Sequence, residues 1–234
     1  KVKIDLSTAK GTIADDKVGK GRQVTVTGVN LSGDDAGNYV LSAQPTGVTV
    51  NIERASYTAG ILMGDYAYGS QPAVPSVDNN PENGAVTYYY NTSNSNRNGN
   101  EWKNITATAI QVGTYYMYAV IAQTDNYWSV TTDPVKFTVN GAAPEIMEWP
   151  AISGTVYVND AALTDESLTG GRAAVKGKFT ITGETKSWSD SGEKQLEVIF
   201  TPDDKNYASV KHNITVNVIK RKVISVANSA AITD

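Results

Sequence analysis

The side chains of this chain that could do chemistry are one histidine, a few paired carboxylates and a crowd of aromatic rings. His212 is the single histidine, between Lys211 and Asn213 in an alternating run. Ser-His-Asp catalysis needs a histidine held over a nucleophile; a histidine on a strand surface is the plainer reading here. There is no cysteine, and zinc prefers Cys and His ligands, so a zinc site is all but excluded. No glycine-rich phosphate loop opens a helix. The acids pair up as Asp15-Asp16, Asp34-Asp35 and Asp203-Asp204. Calcium takes about six to eight oxygens, and Asp34, Asp35, Asp203 and Asp204 are its candidates. No run has EF-hand spacing, and turn-forming Asp explains these pairs more simply. A glycosidase would need two carboxylates flanking one bond, whereas the acids here concentrate in turns. We assign no catalytic residue, expect no enzyme and no cofactor, and keep calcium at these four aspartates as the weaker alternative.

The rings are the stronger chemical signal. Ten of the 13 tyrosines lie between Tyr57 and Tyr127, joined by Trp102 and Trp128. In Tyr88-Tyr89-Tyr90 and Tyr115-Tyr116, neighbouring rings on a strand must point to opposite faces. One face can fill a core. The other must be covered by cross-strand rings, another module or a ligand. Tyr89, Trp102, Tyr115 and Trp128 are the candidates for exposure, and rings suit stacking on sugars. The loop Asn91–Asn100 would add amides for sugar hydroxyls.

These residues must be positioned by a repeat. Asp34-Asp35-Ala36-Gly37-Asn38-Tyr39, Thr124-Asp125-Asn126-Tyr127 and Asp203-Asp204-Lys205-Asn206-Tyr207 each place Asn-Tyr after an acidic turn. The tyrosines stand 88 and 80 residues apart, a domain-sized interval. An alternating strand follows each: Val48–Ile52, Val135–Val139 and Ile214–Val218. Further strands are predicted at Gln23–Thr27, Ser56–Leu62, Val86–Tyr90, Gly113–Ala122, Thr155–Val158, Gly177–Thr182, Lys194–Thr201 and Asn213–Ile219. Turn signals separate them and no segment has a helical stripe, which points to β-sandwiches. Tyr39, Tyr127 and Tyr207, beside Asn38, Asn126 and Asn206, are then expected at equivalent, largely buried structural corners. There the tyrosine hydroxyl would return to backbone.

The expected fold is all-β: tandem Ig-like β-sandwich modules in an elongated array, the first truncated. The boundaries expected are 1–53, 54–140, 141–220, and 221–234 as linker or start of a further module. Gly141-Ala142-Ala143-Pro144 reads as a linker. Net charge is −4 and Lys220-Arg221-Lys222 sits at a junction, so nucleic acid is not an expected partner. The longest apolar run, Tyr115 to Ala122, is too short to span a bilayer.

Residues 12–52 resemble the C-terminal part of a YDG domain, of the kind found in filamentous-haemagglutinin-type adhesins. The likeness rests on Asp16-Lys17-Val18-Gly19-Lys20-Gly21-Arg22-Gln23-Val24-Thr25-Val26-Thr27-Gly28 and on Asp35-Ala36-Gly37-Asn38-Tyr39. The naming Tyr-Asp-Gly motif is absent, so a module truncated at Lys1 is expected. Residues 145–220 are similar to Ig-like repeats of large bacterial surface proteins, through Leu168-Thr169-Gly170-Gly171, Gly177-Lys178-Phe179-Thr180 and Val198–Tyr207. The middle stretch fits the same plan through Gly113–Tyr127. These resemblances imply secretion, an extracellular or bacterial cell-surface place, and a non-catalytic stalk or spacer of a large adhesin. Its partners would be neighbouring modules of the same chain. Two alternatives stand: a module binding a glycan or host surface protein through the aromatic middle domain, and an accessory region of a secreted polysaccharide-degrading enzyme.

Overall fold

A computed structural model of the chain describes residues 1–183 and 187–222. The chain is all-β, with three short 3-10 turns among the described residues, at Ala36–Asn38, Pro81–Asn83 and Asp165–Ser167. No helix among them is long and apolar enough to cross a membrane. The chain divides into two compact units.

The first unit contains residues 1–64, 73–104 and 114–137. At its start, Gly19–Thr27 lies between Lys10–Ile13 and Thr49–Ile52, antiparallel to both, and Lys3–Asp5 pairs with Asn30–Ser32. This region buries little. Ile4, Leu6, Val48 and Val50 are exposed and Val29 is its buried hydrophobe. The aromatic part of the unit is better packed. Its sheet runs in the order Asn100–Glu101, Val86–Asn91, Gly113–Ile121, Val135–Asn140, with Val130–Thr131 also on Gly113–Ile121. Tyr118 stands opposite Tyr89 and Met117 opposite Tyr90. Met117, Ala119, Ile121 and Phe137 are fully enclosed.

The second unit contains residues 65–72, 105–113 and 138 onward. Tyr66–Ala67 runs parallel to Val139-Asn140. The main sheet has the order Val156–Tyr157, Val210–Ile219, Gly192–Pro202, Gly177–Ile181. Period-two patterning sends Leu196, Val198, Ile214, Val216 and Val218 inward to one cluster. Phe200 is buried too, against Phe179 at 4.8 Å between centroids. Burying one such side chain contributes about 1.5–3 kcal/mol.

Most predicted strands occur within a few residues of their expected ends, but Ser56–Leu62 contracts to Ile61–Leu62. Ahead of it the chain forms a single bridge at Ala55 instead of a strand. Ser56 to Gly60 keeps the alternation, with Tyr57 and Ala59 half-buried and Ser56 and Thr58 exposed, but lies outside any strand. The tail expected to begin a further module lies, from residue 223 on, outside the described residues.

Candidate functional site

The Asn-Tyr turns are where distant segments meet. In the first unit, Thr124 to Tyr127 closes as a tight turn. The Tyr127 N–H donates to Thr124 Oγ1 (3.2 Å) and the Thr124 N–H to the Tyr127 carbonyl (3.0 Å). The turn then pairs with the extended segment at Ala55 in a parallel bridge. The Ala55 N–H donates to the Asn126 carbonyl (2.8 Å), and the Trp128 N–H to the Ala55 carbonyl (3.1 Å). This leaves the Asn126 side chain free to reach elsewhere. Its Oδ1 accepts the N–H of Val18 at 3.0 Å, and its Nδ2 donates to Glu82 Oε1 at 2.8 Å. The Asn126 backbone N–H donates to the other Glu82 oxygen at 3.2 Å.

Glu82 sits at φ +56°, a conformation uncommon for a non-glycine residue. Its carboxyl is held below the usual glutamate range, first by the Thr124 hydroxyl and then by the Asn126 backbone N–H, with Lys17 adding a charge. Tyr127 meets the Tyr57 ring edge-on at 5.6 Å, and the Arg54 guanidinium lies 5.3 Å from the centre of the Trp128 ring.

The second unit repeats this arrangement at Asn206. Ala142 forms a parallel bridge with Tyr207. Its N–H donates to the Asn206 carbonyl (2.9 Å), and the Ala208 N–H returns to the Ala142 carbonyl (2.8 Å). Asn206 Oδ1 accepts the Val112 N–H at 3.0 Å, while Nδ2 donates to Gln111 Oε1 at 2.6 Å and Asp204 Oδ1 at 2.9 Å. Tyr207 meets the Tyr68 ring edge-on at 6.1 Å. The two grasped amides share a position: Val18 precedes Gly19 and Val112 precedes Gly113, each glycine opening a nine-residue strand. A side-chain carbonyl that accepts such an amide completes a hydrogen bond the strand cannot make for itself.

The third copy differs. Tyr39 is 62% exposed and Val40 is 91% exposed, which corrects the expectation of a buried ring at Tyr39. The contribution of Tyr127 and Tyr207 is bridge and ring contact, and the long-range side-chain bonds come from the asparagines beside them. Glu82, Gln111, Val18 and Val112 went unforeseen. They sit in turns or at strand starts far from the motif, and nothing in their spacing marks them.

The four candidate rings are not brought together. Trp102 and Tyr115 pack on Phe137, at 5.7 and 5.6 Å. They therefore serve the core side of the sheet. Tyr89 lies on the opposite side, stacked on Tyr118 at 5.4 Å. Trp128, 49% exposed, faces Arg54. The loop Asn91–Asn100 folds over the Tyr89 side. The Gly99 N–H donates to the Tyr118 hydroxyl at 3.1 Å, and that hydroxyl donates to the Arg97 carbonyl. An open groove of about 870 Å³ results, lined by Tyr89, Arg97, Asn98, Gly99, Tyr118 and Thr131.

The carboxylates spread apart. Asp204 accepts from the Asn206 backbone at 2.9 Å. Among the described residues no three His, Cys, Asp or Glu side chains gather as a metal set. His212 stacks on Trp149 at 4.7 Å.

Residues 1–47 match the YDG domain, in agreement with the resemblance read from Asp16–Gly28 and Asp35–Tyr39. No curated protein matches the sequence. Among solved structures the chain is similar to the fibronectin(III)-like modules of Clostridium thermocellum CbhA. The identity is 17% and the TM-score 0.25, over 74% of this chain and 100% of that one. It is also similar to human protocadherin-24 EC1-2, at 12% identity and TM-score 0.23, over 71% of this chain and 99% of that one.

Proposed function

We propose that this chain is a non-catalytic stalk or spacer segment of a large secreted or cell-surface bacterial protein of the adhesin type, acting outside the cell. One observation carries this reading: the same asparagine clasp occurs twice, at Asn126 and Asn206. Each clasp fastens a backbone amide and a linker residue from earlier in the chain. Its bonds go to the chain's own backbone and side chains, which suits a spacer. The YDG match at residues 1–47 supports the adhesin context. The modules expected from the sequence, 1–53, 54–140 and 141–220, are the units that such clasps would join.

The test is direct binding of the 234-residue chain to a glycan array and to host-cell surface proteins. A spacer binds neither. Saturable binding to either overturns the reading. A second reading, a glycan- or host-protein-binding module, is favoured by the groove over Tyr89 and Tyr118. It expects binding that falls when Tyr89 or Arg97 is changed to Ala.

A further inference from the structure

We propose that Tyr89 and Tyr118 form a site of oxidative cross-linking, where hydrogen peroxide activated by a haem peroxidase joins the two rings through a carbon–carbon bond. The inference goes beyond the spacer reading and does not depend on it.

The two residues face each other across the ladder of Val86–Asn91 and Gly113–Ile121, Tyr118 directly opposite Tyr89. Side chains at opposed positions leave the same face of a sheet, with Cβ atoms about 4.5–5.5 Å apart. Here the rings are nearly parallel, 18° between planes and 5.4 Å between centroids. Parallel rings at that separation are offset, one edge against the other. That is the approach a ring-to-ring bond requires. Tyr57–Tyr127, Tyr68–Tyr207 and Tyr90–Tyr115 meet edge-on instead, at 86°, 74° and 70°. Tyr90 stands opposite Met117, so Tyr115 reaches it only on the diagonal.

Access and restraint are divided between the two residues. Tyr89 is half-buried and lines the open groove. Tyr118 is 3% exposed. Its hydroxyl is fixed between the Gly99 N–H and the Arg97 carbonyl, and the Arg97 guanidinium lies 5.5 Å from the ring centre. One partner can be reached and the other cannot turn away. The chain has no cysteine, so no thiol competes for the oxidant.

The chemistry balances as follows. Each phenol loses one electron and its hydroxyl proton, and the protons leave through the groove. The two radicals couple at the ring carbons beside the hydroxyls. The hydrogens on those carbons shift to the oxygens and restore both phenols. One hydrogen peroxide takes up the two electrons and two protons and becomes two waters. The new bond ties neighbouring strands together and restricts the unfolded chain as a disulfide does.

The experiment treats the 234-residue chain with hydrogen peroxide and a haem peroxidase, while coupling of free tyrosine in a parallel vessel proves the oxidant active. The monomer is expected to lose the mass of two hydrogens. Trypsin, which cuts after Arg54, Arg97, Lys103 and Lys136, should then release segments 55–97 and 104–136 joined, with fragment masses placing the bond at Tyr89 and Tyr118. Tyr89→Phe keeps a ring in place and loses the joined peptide. Tyr118→Phe loses it too; if that variant fails to fold without its hydroxyl bonds, Tyr89→Phe decides alone. Tyr115→Phe keeps the link.

A joined peptide that survives Tyr89→Phe places the bond at another pair and overturns the inference. So do chains linked only into dimers, as the 62%-exposed Tyr39 would link them. Oxygen added to Tyr89 without a link, or an unreacted Tyr89 beside coupled free tyrosine, overturns it as well.

Discussion

Asn126 and Asn206 perform the same act in different surroundings. Asn126 is half-buried and leans on Glu82, a carboxylate on an exposed turn with left-handed backbone. Asn206 is 8% exposed and leans on the uncharged amide of Gln111, with Asp204 beside it. The bond to the grasped amide is equal in length at both sites, 3.0 Å. The difference lies in what orients the asparagine. The constant element is its Oδ1 on a strand-start amide. The residue behind it varies, and with it the response to burial and to acid.

The largest effect is expected at Asn206. Asn206→Ala removes, at a buried side chain, the acceptor of the half-buried Val112 N–H, and strips the exposed Gln111 of a donor. Leaving a buried polar group unsatisfied costs roughly 1–3 kcal/mol. Denaturant unfolding gives the loss, and amide exchange at Val112 shows where it falls. Asn126→Ala should cost less, about 0.5–1.5 kcal/mol, because water can replace part of what is lost at a half-buried site. Equal losses at the two positions would break the comparison, because burial would then not govern the clasp.

Acid sharpens it further. The carboxyl of Glu82 titrates lower in the folded chain than in the unfolded one, where about 4.3 is usual. Its contribution is therefore fully present above that value and is lost as pH falls through the lower folded one. The Val18 amide should exchange faster, relative to a neutral reference amide, as the pH enters that window. Glu82→Gln keeps an acceptor for Asn126 and should flatten this dependence. Gln111 does not titrate, so the bond it accepts from Asn206 persists through the same window. A Val18 amide whose protection ignores both pH and Glu82→Gln would remove the carboxylate from the account.

How much of this was legible follows from the range of each interaction. Leu196, Val198 and Phe200, and Ile214, Val216 and Val218, announce their strands because burial on one face writes a period of two into adjacent residues. The Asn-Tyr copies announce equivalence because the same turn needs the same residues. Glu82 could not be read. It lies 44 residues from Asn126, and a glutamate beside Pro81 is an ordinary turn residue until the fold brings it close. The rings were read as crowded on both faces. Only pairing of Tyr118 with Tyr89 and Met117 with Tyr90 decides that Trp102 and Tyr115 join Phe137 while Tyr89 faces the Asn91–Asn100 loop. The corner was assigned to the tyrosine hydroxyl. The segments are held instead by the asparagine amide, which has both a donor and an acceptor and can serve two partners at once.

The smallest effect is expected at Tyr39, and it separates the motif from its use. At Tyr207 the ring has an edge contact with Tyr68 and the backbone a bridge with Ala142. An aromatic pair of that kind contributes about 0.5–1.5 kcal/mol beyond the area it covers, so Tyr207→Ala should be clearly destabilising. Tyr39 stands at the same point of the Asn-Tyr motif but is 62% exposed. Surface substitutions of this sort stay within about 0.5 kcal/mol, so Tyr39→Ala should leave the unfolding midpoint of the single chain almost unmoved. A loss at Tyr39 in the single chain equal to that at Tyr207 would mean that the first copy is already engaged within its own module. The three turns would then be alike in use as well as in sequence.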